Sequence, residues 1–204
     1  LSLRELITTT GIGYWGISLL KNSMPSILGI SISSVITSGL YFKIISLASK
    51  GLEDTTRMLL YDVVRSEINT SNIGVISGGT FAVDVIKEVP IGLSLATKSK
   101  KAKEIITKAM KNSYVKIRHT RDIIGTEICG SIKNVIAIVS GMIDGMGYPI
   151  STSSLLITEA LNDIKNLSHA LGGSKKSILS FAGFGDILLT CTSDKSRNYS
   201  LGKL

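Results

Sequence analysis

An incomplete α/β region of alternating strands and helices, followed by an all-α region, is the architecture this sequence predicts. Three observations lead to it. Short apolar runs closed by Gly, Ser or Pro alternate with amphipathic stretches up to about residue 120. Beyond residue 121 apolar residues recur at three- and four-residue spacing, and no strand pattern appears. Hydrophobic residues make up 44% of the 204 positions but aromatics only 5%, so the core must be aliphatic. The expected division is therefore 1–120 and 121–204.

Residues 44–48, Ile-Ile-Ser-Leu-Ala, read as a buried strand running into the loop Ser49-Lys50-Gly51. Residues 53–68 carry Met58, Leu59, Val63 and Val64 at helical spacing. Ile73–Ser77 is a second strand, closed by Gly78-Gly79. Phe81–Val89 is a short helix stopped by Pro90. Ile91–Ala96 is a third strand, 99–112 an amphipathic helix through Ala102, Ile105, Ile106 and Met110, and Tyr114–Ile117 a fourth strand. This alternation predicts a parallel sheet. Ile124, Ile128, Ile132, Val135 and Val139 then mark one face of a long buried helix reaching about Met146. A second helix spans about Ser151–Leu171, with Ser or Thr expected to cap its start and Gly172-Gly173 its end. A short helix near Lys175–Phe181 leads into Gly183-Phe184-Gly185-Asp186.

A formal net charge of +8 fits either an anionic surface partner or an anionic small substrate. The densest basic run, Lys98 to Lys103, lacks interleaved Arg or aromatic residues and reads as a solvated helix start, so nucleic acid is not the expected partner. Pro25–Phe42 is uncharged but rich in Ser, and Ile30-Ser31-Ile32-Ser33 alternates with period two; strand and turn are expected there, not membrane insertion. Cys129 and Cys191 lack metal-ligand spacing, and unpaired thiols suit a reducing cytoplasm. His119, expected between the two regions, and His169, on the second helix, read as lone residues and not as metal ligands.

Lys133 lies within the apolar helix, where desolvation disfavours its charge. Spacing alone leaves two readings: a lysine that snorkels or pairs with a carboxylate, or one with a lowered pKa that moves a proton. Lys50 follows a buried strand, at the end where α/β sheets place ligands, yet a surface lysine would look the same. Ser196-Arg197-Asn198 offers a hydroxyl, a bidentate cation and an amide, suited to a phosphate dianion or to an ordinary polar loop. Gly11-Ile12-Gly13-Tyr14-Trp15-Gly16 fits G-x-G-x-x-G, although Thr8-Thr9-Thr10 stands where an apolar strand should lead in.

Four blocks appear in a familiar order: Ser49-Lys50-Gly51-Leu52-Glu53; Ser77-Gly78-Gly79-Thr80-Phe81-Ala82; Gly130-Ser131-Ile132-Lys133-Asn134-Val135 with Asp144-Gly145-Met146-Gly147; and Ala182 through Ser193 with Ser196-Arg197-Asn198. In these blocks the chain resembles the soluble NAD(P)-dependent glycerol-3-phosphate dehydrogenases. The resemblance implies a shortened Rossmann-like domain before a helical substrate domain that continues in the family past residue 204. It implies hydride transfer between dihydroxyacetone phosphate and sn-glycerol 3-phosphate, with NAD or NADP, for glycerophospholipid synthesis. Lys133 would exchange the hydroxyl proton and Lys50 polarise the carbonyl. Asp186 would orient Lys133 and the hydroxyl end, while Ser196, Arg197 and Asn198 hold the phosphate. Gly78 and Thr80 match further substrate contacts. Gly11, Gly13, Tyr14, Trp15, Gly16, Lys50, Ala82 and Arg197 match cofactor contacts. A homodimer is left open.

Two departures stand against this pattern. No Asp or Glu occurs between Gly16 and Glu53, and no Arg between Arg4 and Arg57, so the usual ribose and 2′-phosphate partners are missing. The expectation is thus an oxidoreductase, with a catalytically impaired, truncated member of the same family as the alternative.

Overall fold

A computed structural model describes residues 35–37, 43–68, 70–111 and 114–204. The fingerprint residues Gly11, Gly13, Tyr14, Trp15 and Gly16 lie outside them, as does most of Pro25–Phe42. The described elements are β1 (Val35–Thr37), β2 (Lys43–Leu47), α1 (Leu60–Glu67), β3 (Ile73–Ser77), α2 (Ala82–Ile86), β4 (Ile91–Ala96), α3 (Lys100–Met110), β5 (Val115–Thr120), α4 (Ile123–Gly145), α5 (Ile150–Ala170), α6 (Asp186–Cys191) and α7 (Arg197–Lys203). A 3₁₀ turn (Lys175–Leu179) and a π turn (Phe181–Gly185) separate α5 from α6.

The strands form one sheet in the order β1-β2-β3-β4-β5. The α/β class holds, but the sheet is mixed where the alternation predicted parallel pairing throughout. β2 with β3 and β4 with β5 are parallel, whereas β1 with β2 and β3 with β4 are antiparallel. The reason at β3–β4 is the short connection. Five residues of α2 span only about 7 Å, less than the ~16 Å length of β3, so the chain turns back without crossing over the sheet.

Burial on both faces explains the apolar runs of the inner strands. Ile45, Leu47, Ile73, Val75 and Ala96 pack with Tyr61 and Val64 of α1 and with Ile123 at the start of α4. Ile44 and Leu95 face the other way, against Ala102 and Ile106 of α3. α3 begins where its sequence dictates, because the Ser99 hydroxyl accepts the Ala102 N–H at 3.1 Å.

Other boundaries move, for local reasons. The helix expected from residue 53 starts at Leu60. Residues 52–59 instead form a loop in which Glu53 Oε2 accepts the Thr56 N–H at 2.5 Å and hydroxyl at 2.6 Å, with Arg57 at φ 60°. β5 runs on to Thr120, so His119 is not in a linker; it is an exposed strand residue paired with Leu95. α5 begins at Ile150 just after Pro149, with no Ser or Thr side-chain cap.

The long periodic helix is α4. Its buried face, including Ile128, Cys129, Ile136 and Ala137, packs with Ile157 and Ile164 of α5, Ile178, and Ile187 and Cys191 of α6. Among the described residues α4 is long and apolar enough to cross a membrane, and 61% of its most apolar window is buried within the fold. α7 crosses α4 at glycines. A Cβ at Gly145 would lie 2.7 Å from the Lys203 carbonyl oxygen, and one at Gly202 would strike the carbonyl of Ile138.

Candidate active site

α4 carries Lys133 on its buried side, and α6 begins with Asp186, which is only 2% exposed. Lys133 Nζ donates to Asp186 Oδ1 at 2.5 Å and to the Thr190 hydroxyl at 3.1 Å. Thr190 stands one turn after Asp186, and its own hydroxyl donates to the Asp186 backbone carbonyl at 2.6 Å. Lys50, from the loop after β2, reaches the other carboxylate oxygen: Nζ to Oδ2 is 2.5 Å. One buried carboxylate thus holds two ammonium groups, one from each half of the chain.

The cluster pairs Lys133 with a carboxylate, as one reading expects, and its surroundings also lower the amine's affinity for a proton, as the other does. The side chain is 11% exposed, so it does not snorkel freely into water. Burial, and then the positive charge of Lys50, hold its pKa down at about 8, with Asp186 pulling the other way. An amine in that range both gives and takes a proton near neutral pH.

Of the remaining sequence candidates within the described residues, the glycine loop after β3 lies against the start of α6, and Thr80, Ser196 and Asn198 have partners outside the cluster. Gly78 and Gly79 follow β3 directly. A Cβ at Gly78 would meet the Gly92 carbonyl oxygen at 2.5 Å, and one at Gly79 the Gly185 carbonyl oxygen at 2.8 Å. The loop therefore lies backbone against backbone on the start of α6, next to Asp186. Thr80 is half-buried, its hydroxyl 3.3 Å from the Phe81 carbonyl, and Ala82 opens α2. Ser196 is buried and caps α7, its hydroxyl accepting the Tyr199 N–H at 3.3 Å. Arg197 is exposed, and the Asn198 side chain donates to Asn134 Oδ1 at 3.0 Å. Lys195 Nζ lies 3.9 Å from Asp84 Oδ1 and over the Phe81 ring, which brings the approach to α7 alongside α2.

Several residues of the site were not singled out in the sequence. The sequence signal for Thr190 is its four-residue offset from Asp186 on one helix face. Asn134 follows Lys133 directly. Ser131 accepts the Gly51 N–H at 3.1 Å, and Gly130 leaves room for the Lys50 stem, a Cβ there lying 3.3 Å from Lys50 Cγ. Glu127 is buried, accepts the Tyr61 N–H at 3.0 Å, and has its pKa raised to about 7, chiefly by burial. Cys129 and Cys191 are free and buried, and burial pushes both thiols up to about 12, which leaves them inert near neutral pH. Among the described residues no group of three or more His, Cys, Asp or Glu could hold a metal ion.

The blocks that build this site are those on which known proteins match. Residues 122–204 match the profile of the NAD-dependent glycerol-3-phosphate dehydrogenase C-terminus, and residues 35–103 that of the N-terminus of the same family. The chain belongs to this glycerol-3-phosphate dehydrogenase family. A glycerol-3-phosphate dehydrogenase [NAD(P)+] of Solidesulfovibrio magneticus is 38% identical over 157 residues, 76% of this chain and 48% of the relative. One from a Janthinobacterium is 37% identical over 154 residues, 75% of this chain and 46% of the relative. Among solved structures, glycerol-3-phosphate dehydrogenase from Coxiella burnetii superposes with a TM-score of 0.75 at 32% identity, covering 78% of this chain and 50% of that one. The chain spans about half the length of the family members it matches.

Proposed function

We propose that this chain carries the substrate-handling residues of an NAD(P)-dependent glycerol-3-phosphate dehydrogenase, interconverting dihydroxyacetone phosphate and sn-glycerol 3-phosphate. The observation that carries the proposal is the buried Lys133–Asp186–Lys50 cluster. In reduction, protonated Lys133 gives its proton to the carbonyl oxygen as that oxygen gains negative charge. Lys50 stabilises the same charge, and its positive field makes Lys133 a readier donor. Asp186 fixes both amines and, with Thr190, directs the Lys133 protons. In the reverse direction neutral Lys133 takes the hydroxyl proton. Ser196, Arg197 and Asn198 would hold the phosphate, at the start of α7 and tied to α4 through Asn134.

A nicotinamide cofactor fits one end of the site. Ser49 Oγ and Ser77 Oγ are buried without partners in a crevice shared with Lys50 and Gly130, at the carboxyl ends of β2 and β3. Such orphaned hydroxyls at that end of an α/β sheet suit a polar ligand. Lys50, Ala82 and Arg197 are the described residues that would hold the cofactor, which when bound supplies or accepts the hydride. The two free, buried thiols support a reducing, cytoplasmic setting.

One observation favours a second reading, in which the chain is catalytically impaired. The N-terminal family match starts at residue 35 and leaves Gly11 to Gly16 outside it. The test for both is oxidation of NADH or NADPH by the purified protein with dihydroxyacetone phosphate. Turnover that disappears in Lys133→Ala supports the dehydrogenase. Turnover no greater than that control supports the impaired reading.

A further inference from the structure

Glu127 takes no part in the cluster around Asp186, yet it is 5% exposed on the helix that carries Lys133. Its Oε1 accepts the Tyr61 N–H at 3.0 Å, while its Oε2 is buried without a partner. Leu60 and Tyr61 are the first residues of α1, and Leu59 before them provides no side-chain cap. The capping oxygen therefore comes from a different helix. One turn further along α4, Ser131 Oγ accepts the Gly51 N–H at 3.1 Å and donates to the Glu127 carbonyl at 2.8 Å. Glu127, Gly130 and Ser131 share a face of α4, being three and four residues apart. Segment 50–61 is thus fastened at both ends to that face, and the Lys50 stem lies over Gly130 on its way to Asp186.

We propose that Glu127 is a positioning residue: by capping the segment that bears Lys50 from the helix that bears Lys133, it sets how closely the two ammonium groups meet on Asp186. The function suggested above gives this geometry its purpose, but the arrangement can be tested without turnover. Without the cap, the start of α1 loses an acceptor for its N–H groups; Ser131 still holds Gly51 and Leu59 and Tyr61 still pack on the core, but the polar tie that fixes the far end of the segment to α4 is gone. Lys50 then spends time away from Asp186. Lys133 loses a neighbouring positive charge, so its affinity for a proton rises. The groups facing Lys133 are Lys50 from the loop after β2 and Asp186 and Cys191 from α6. Asp62 of α1 is the charged neighbour that acts on Glu127.

Competitive acetylation of Lys133, followed by mass spectrometry across a pH series, reads that affinity directly. In Glu127→Ala the labelling midpoint is expected to rise by about half a pH unit or more, because Lys50 withdraws. In Glu127→Gln, which keeps an acceptor for the Tyr61 N–H, it stays at the wild-type value or falls slightly. Removing a negative charge alone would lower the midpoint in both variants, so the sign separates positioning from simple electrostatics. An unchanged or lowered midpoint in Glu127→Ala overturns the proposal. Should that variant not fold, Ser131→Ala frees the other end of the segment and is read the same way: a rise supports the proposal and no rise overturns it. Wild-type protein that labels as expected but turns over no substrate would defeat the dehydrogenase reading and leave this one standing.

Discussion

Replacing Asp186 by Asn removes the carboxylate charge that pairs with both lysines while leaving the side-chain shape intact. Asp186 is 2% exposed and Lys133 is 9% exposed, so their pair is buried; the Lys50 side chain is 23% exposed and can turn toward water. Stripping one partner from a buried pair costs about 3–5 kcal/mol, and the freedom of Lys50 argues for the lower end, about 3 kcal/mol. For a chain of this size each kcal/mol moves the midpoint by about 2–4 °C, so Asp186→Asn should melt about 6–12 °C below wild type near neutral pH. The cost should shrink as pH rises through about 8, because Lys133 then sheds its proton and no longer needs the carboxylate. Thermal melts at several pH values measure both effects. A drop of less than about 2 °C, or one that does not vary with pH, would refute the claim that Asp186 compensates a buried ammonium group.

Glu127→Gln probes the other displaced titration. Its folded pKa of about 7 lies above the ordinary glutamate value of 4.5, so the folded state holds the proton more tightly. Wild-type stability should therefore decline as pH rises from 4.5 to about 7, and the variant should show a flatter profile in melts over that range. Gly145→Ala would place a Cβ 2.7 Å from the Lys203 carbonyl oxygen. Forcing α7 off α4 should cost about 1–3 kcal/mol in urea unfolding, whereas a change below about 0.5 kcal/mol would mean that the two helices are not in close contact.

The helical half was legible in the sequence because its period is long and its apolar stripe continuous. α4 lies close to its expected course, since its apolar spacing from Ile124 to Val139 continues across Gly125 and Gly130. Strand positions were equally plain, but strand direction was not: an apolar run reads the same either way, and only the shortness of α2 turns β4 against β3. Met58 and Leu59 extend the apolar spacing of α1 toward residue 53, seven residues before the helix begins. The Glu53–Thr56 hydrogen bonds that close the preceding loop leave no periodic trace. In the site, Lys133 announced itself as a charge inside an apolar helix. Glu127, another such charge on the same helix, passed unremarked because its purpose lies in a backbone amide 66 positions away. Thr190 and Ser131 are small hydroxyls whose roles depend on what the fold sets opposite them.

The proposed proton transfer depends on the state of one amine. Competitive labelling of wild-type protein across pH, read at Lys133, should give a midpoint of about 8, well below the ordinary lysine value of 10.5. A midpoint near 10.5 would mean that the amine is bathed in water and not pressed against Lys50 and Asp186, and the proposed proton transfer would have no physical basis.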